Sequence, residues 1–318
     1  MHLDFWEVLS NLMGLFLLIA VGYGAVRLDI VPAGASGVLS RLLLKIALPC
    51  TVFTSLLRPY DSAFLREIFI VIGLGFLLFP INALAAALLS RLLRVEKGRR
   101  GTWSLCATFC NNGFMGFPVA LALFGEEGLA LAAVLGLPFN LLLYTMGVGM
   151  LCTDRTSEAG EKGKTQWRTV LVTGINVAAL LGLIFYFARL TVPAAVLTPL
   201  THLSNITTPL SMFVTGMNLT KSRLGGLFRN RDAITACAAR LVLLPLLTFA
   251  LLTGLDRLIV FGNPLILGVV FIILSMPAPA VTSILCENYG VNQEFSAGVV
   301  FLSSLFCILT IPMMALLL

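Results

Sequence analysis

Residues 110–119 read CNNGFMGFPV and fall in the middle of an apolar run at 102–124. Two asparagines, two glycines and a proline are poor helix material. Glycine weakens a helix, and Pro118 removes a backbone donor and crowds the preceding turn. The composition therefore predicts a helix broken at this point. A second apolar run, 261–286, contains SMPAPAVTS at 275–283, with Pro277 and Pro279. It predicts a second break. In hydrocarbon a broken helix leaves N–H and C=O groups unpaired, which is tolerated only against protein or a water-filled cavity.

The rest of the chain points to such an environment. Of its 318 residues 58% are hydrophobic and 11% charged, and the mean hydropathy is +1.00. A soluble domain of this size needs more polar surface. A helical span takes roughly 20 apolar residues. Apolar segments run at 5–26, 37–57, 68–90, 102–124, 128–151, 169–188, 194–219, 232–255, 261–286 and 295–318. The expected fold is an all-α integral membrane protein of ten transmembrane helices. Asp4 and Glu7 stand where a signal peptide would carry basic residues, so the first segment reads as a permanent span.

Charge orders the loops. Arg58, Arg66, Arg189 and Arg257 fall on the side that holds the N-terminus, while fifteen of the 21 basic residues fall on the other. By the positive-inside rule the second side is cytoplasmic and both termini face out. The positive balance is thus a loop property, and no nucleic-acid partner is expected. The expected location is a bacterial cytoplasmic membrane, with the lipid bilayer as the surrounding partner.

The two halves resemble each other. Pro80 matches Pro245 at an offset of 165, and FGEEGLALA at 124–132 lies over YGVNQEFSA at 289–297. At an offset of 160, Pro49 to Ser55 lies over Pro209 to Thr215. The pattern suggests a duplication: 1–152 as one five-helix repeat, 153–167 as a cytoplasmic linker, and 168–318 as the second repeat. An odd number of spans per repeat inverts the second copy. At the 165 offset Asn112 and Gly113 lie over Pro277 and Ala278, so both repeats break the same helix, the fourth and the ninth. Each break starts a half-helix whose N-terminal N–H groups favour an anion. Packing kinks are the alternative, since glycine and proline are common in membrane helices.

The expected site therefore comprises Asn111, Asn112, Gly113, Gly116 and Pro118 on one strand of the crossing. Met276, Pro277, Ala278 and Pro279 lie on the other. Thr51, Ser211 and Asn140 are candidates to line a cavity beside them; hydrogen bonding to a neighbouring helix is the alternative for each. Arg240, deep in the eighth span, either attracts an anion or pairs with a carbonyl and holds the core. Lys45 can snorkel to the interface. Seven cysteines without CxxC spacing read as free thiols, and no metal site or cofactor is expected. HExxH, GxSxG and P-loop motifs are missing, which argues against an enzyme and against direct nucleotide drive.

NNGFMGFP at 111–118, ALPCTVF at 47–53, ITTPLSMFVTGMNL at 206–219, Arg240 with Pro245, and MPAPAV at 276–281 followed by ENYG at 287–290 resemble motifs of the auxin efflux carrier family. The resemblance covers essentially the whole chain. It implies a ten-span inverted repeat in which spans 1, 2, 6 and 7 form a scaffold and spans 3–5 and 8–10 a moving core. It also implies a substrate at the crossing of spans 4 and 9, a role for Asn111 on the substrate carboxylate, and a homodimer through the scaffold. Span 3 departs from the plant carriers in having no charge, and the long cytoplasmic loop of many plant members is absent. The function expected is secondary transport of a small organic anion, mono- or dicarboxylate, by an elevator-type motion. A sodium-coupled symporter of the bile-acid type and an intramembrane enzyme are the alternatives.

Overall fold

The computed structural model describes residues 5–154, 173–220 and 227–318. Most of the expected linker 153–167 and the start of the sixth span lie outside the described residues. Every regular element among them is helical. In chain order they are α1 Phe5–Arg27, α2 Ala35–Leu56, α3 Ser62–Leu92, α4 Arg100–Thr108, α5 Phe117–Leu142 and α6 Val148–Cys152. There follow α7 Gly174–Phe187, α8 Ala194–Asn205, α9 Thr207–Leu219, α10 Arg231–Ile259, α11 Pro264–Leu274, α12 Ala280–Asn288 and α13 Gln293–Ala315.

Five stretches of the described residues are long and apolar enough to cross a membrane. One of them, Lys97–Cys152, has 56 residues and would measure about 84 Å as a straight helix. It does not run straight. Gly125 has φ 66° and ψ −161°, a backbone region essentially reserved for glycine, and there the chain turns back. Large apolar side chains face outward along these helices, among them Leu17, Phe69, Leu84, Leu88, Ile184, Leu309 and Met313. In water such a surface would be an association hazard; in lipid it is the expected exterior.

Prolines shape the helices. Short π-helical turns at Leu43–Ala47, Asn112–Gly116 and Ala239–Leu243 each end two residues before a proline, at 49, 118 and 245. Proline cannot donate to the carbonyl four residues back and its ring pushes that carbonyl away, so the preceding turn widens. The expected single helix at 194–219 is instead two, α8 and α9, joined at Ile206. Pro209 has no N–H for the new helix's first turn, and Thr207 and Thr208 precede it.

Loops gather at two ends. At one, the Tyr186 hydroxyl donates to the Asp61 carbonyl (2.6 Å) and Arg66 donates to the Val260 carbonyl (3.1 Å). There too, Asn263 donates to Glu67 Oε1 (2.8 Å). At the other, Asn292 donates to the Gly98 carbonyl (2.7 Å), and Asp154 accepts from the Gly101 and Thr102 N–H groups (2.7 and 2.6 Å). Asp61, Tyr186 and Val260 thus share one end, and Gly98, Asp154 and Asn292 the other.

The tightest helix pair is α1 with α9. A Cβ on Gly22 would overlap the Phe213 carbonyl, and one on Gly216 would overlap that of Ile19. Small residues let two backbones touch, the usual way of gaining packing energy where lipid removes the hydrophobic drive.

Candidate functional site

Helical geometry stops after Thr108 and resumes, through the π-turn, at Asn112; it stops again after Leu274 and resumes at Ala280. The two interruptions touch. The Asn111 N–H donates to the Pro277 carbonyl at 2.8 Å. Pro277 therefore loses a donor to the chain but supplies an acceptor across the gap. Ala278 N–H is taken by the Ser303 hydroxyl of α13 (3.1 Å). Met276 and Ala278 are fully buried. Pro279 is extended and caps α12 without a side-chain bond, so the Ala280 and Val281 N–H groups head that helix with no helical carbonyl before them.

Asn111 begins the other half. Its Oδ1 accepts from the Phe114 N–H at 3.2 Å, an N-cap of the ordinary kind. Its neighbour Asn112 is 4% exposed and lies between two glycines. A Cβ on Gly116 would sit 3.3 Å from its Oδ1, and one on Gly136 would sit 3.2 Å from its Nδ2. Glycine at both places makes room for the amide. Asn112 Oδ1 and the Thr108 hydroxyl are buried without a hydrogen-bond partner among the described residues. Orphaned polar atoms cost on the order of 1–3 kcal/mol each. Gly113 is half-buried and looks across at Leu48 of α2. Pro118 opens α5.

Beside the break, α2, α5, α8 and α9 enclose a cavity of about 260 Å³. Its walls are Thr51, Phe117 and Leu121, with Ser204, Thr207 and Thr208, and exposed Glu126 toward one edge. The Thr51 and Thr207 hydroxyls share a hydrogen bond of 2.7 Å, and the Ser204 hydroxyl donates to Thr51 at 3.2 Å. Thr51 is one of the residues that line this cavity. Ser211 does not reach it: its hydroxyl donates to the Thr208 carbonyl (3.0 Å) within α9. Asn140 donates to Asn176 Oδ1 at 2.7 Å and ties α5 to α7.

Arg240 follows the second of its two readings. It is fully buried and donates to the Ala107 and Thr108 carbonyls (2.9 and 2.8 Å) and to that of Leu274. Sequence reasoning missed Ser303, Thr207 and Asn176, whose partners lie far off in the chain. It also stopped one residue short of Glu67, which is 8% exposed on α3 with Oε2 buried and unpaired. Among the described residues no group of three His, Cys, Asp or Glu could hold a metal ion.

A multi-pass body, helical throughout the described residues, with two touching helix interruptions beside a cavity of mixed polarity fits a membrane transporter. Residues 7–315 match the model of a family described as membrane transport protein, and the chain belongs to that family, the auxin efflux carriers. An uncharacterized transporter of Methanocaldococcus jannaschii is 27% identical over 306 residues, covering 93% of this chain and 94% of that one. Another, from Methanothermobacter thermautotrophicus, is 24% identical over 304 residues, 96% of each. A Rhizobium meliloti protein named "Putative malonate transporter" is 23% identical over 316 residues, 96% of this chain and 94% of that one.

Proposed function

We propose that this chain is a secondary carrier of a small organic anion, a mono- or dicarboxylate of the size of malonate or malate. The observation that carries the reading is the Asn111–Pro277 hydrogen bond, which joins two helix breaks at one point. Each break starts a half-helix at that point, and helix N-termini favour carboxylates. Asn111, Asn112, Gly113 and Gly116 on one side, and Pro277 to Val281 on the other, would form the receiving surface. Thr51 and the cavity would lie on the approach. The name of the Rhizobium relative supports a dicarboxylate as the first substrate to try.

The reading extends to the whole body. Ten spans in a 5+5 inverted repeat, with α1, α2 and α7 to α9 as scaffold and α3 to α6 with α10 to α13 as the moving core, fit the separation of loops into two ends. The carrier would sit in the cytoplasmic membrane with both termini outside. α8 has no buried residue, which supports a scaffold face that meets lipid or a second copy of the chain. The test is counterflow of labelled malonate, malate and indole-3-acetate in proteoliposomes of the purified protein. Saturable exchange of one of them supports the reading; sealed vesicles that exchange none of a broad carboxylate panel would sink it.

A further inference from the structure

The carbonyls that Arg240 binds are the last ones of two helices. Ala107 and Thr108 end α4, and Leu274 ends α11. Both helices stop at the crossing. The C-terminus of a helix carries roughly half a negative charge, so the crossing has two negative ends as well as two positive ones. The guanidinium sits between the negative pair. No acidic side chain is bonded to it among the described residues, whose one ion pair is Arg99 with Glu96. Its counter-charge is therefore backbone.

In carriers built on broken helices, unwound carbonyls and half-helix C-termini are where a coupling cation is coordinated. Three carbonyls from two such ends, converging on one cation, reproduce that arrangement with a side chain in place of the ion. Guanidinium suits it: always charged, weakly hydrated and with several donors in a fixed fork. An anion near the crossing would be repelled by bare carbonyl ends, and a fixed cation removes the repulsion.

We infer that Arg240 is a tethered counter-cation, filling the position where the two helix ends would otherwise hold a mobile monovalent cation. The crossing then needs no sodium at that point. The link to transport rests on the carrier reading above, but the exchange of a side chain for an ion is read on the protein alone.

The experiment uses the purified full-length protein in detergent, with thermal unfolding followed in choline, sodium and potassium chloride and with a few millimolar guanidinium chloride. Wild type is expected to melt alike in sodium and choline. Arg240→Ala should melt lower by roughly 5 °C or more and recover at least half of the loss with sodium or guanidinium over choline. Arg240→Lys should stay indifferent to sodium. Arg240→Gln, which keeps donors but no charge, should gain the same cation response and serves if the alanine variant does not fold. Wild type stabilised by sodium over choline overturns the inference, and so do folded neutral variants blind to every cation. If carboxylates shift the wild-type melting point while those variants stay blind, the inference alone fails. If the cation responses appear and no carboxylate shifts or exchanges, the carrier reading alone fails.

Discussion

The backbone N–H of Asn111 lies 2.8 Å from the carbonyl of Pro277 and donates to it, across 166 residues of chain. One hydrogen bond between two segments without helical structure fixes where four half-helix ends meet. The Asn111 side chain is meanwhile occupied with capping Phe114. Asn111→Asp keeps an oxygen for the cap but adds a negative charge at the break. It should unfold within a few degrees of wild type and lose carboxylate exchange by about tenfold or more, since 1.4 kcal/mol of lost attraction is already tenfold. Unchanged exchange in proteoliposomes would remove Asn111 from the site.

The α1–α9 seam gives a contrast between glycines. Gly216→Ala drives a methyl group into the Ile19 carbonyl, a backbone atom that cannot rotate away. A cost of about 1–3 kcal/mol is expected, seen as a lower melting temperature in detergent. Gly14, on the same α1, has open space where a Cβ would go, and Gly14→Ala should be neutral or gain up to about 1 kcal/mol.

Asp154 caps α4 from outside its own helix. It is 8% exposed and accepts from the N–H groups of Gly101 and Thr102, the Thr102 hydroxyl (2.7 Å) and Asn292 (3.3 Å). Asp154→Ala orphans the two N–H groups and the Thr102 hydroxyl, at about 2 kcal/mol or more, while Asn292 keeps the Gly98 carbonyl. Asp154→Asn should cost less, because one acceptor oxygen remains. Hydrogen exchange at residues 101–103 should accelerate in the alanine variant before the rest of the chain.

Orientation can be read without mutation. Cys152 is exposed, Cys50 is half-buried and the other five cysteines are buried. Cys152 lies at the end rich in basic residues. A membrane-impermeant maleimide should label it in inside-out vesicles and leave it unlabelled in right-side-out ones. The reverse pattern would invert the topology.

The breaks were legible because they are written in residue type: glycine, asparagine and proline have local costs that no packing hides. The apolar runs and the charge of the loops were legible for the same reason. Arg240 was left between two readings because its partners are carbonyls, which every residue carries and no sequence distinguishes. Asn140 was drawn toward the site because its amide partner, Asn176, lies 36 residues on in another helix. Ser211 was a candidate cavity residue by type alone, and its hydroxyl turns back to its own helix. Glu67 fell just outside the apolar run drawn at 68–90, though it is buried on α3.

The glycine contact between α1 and α9 has a mechanical side. Two backbones that touch directly leave no layer of side chains to shear, so the pair behaves as a single beam. Elsewhere the neighbours meet through rotatable groups, at Leu121, Phe117 and the threonines of α9. A void already separates the surfaces there. If the proposed motion of the core occurs, stiffness on one flank and slack on the other would favour travel in one plane.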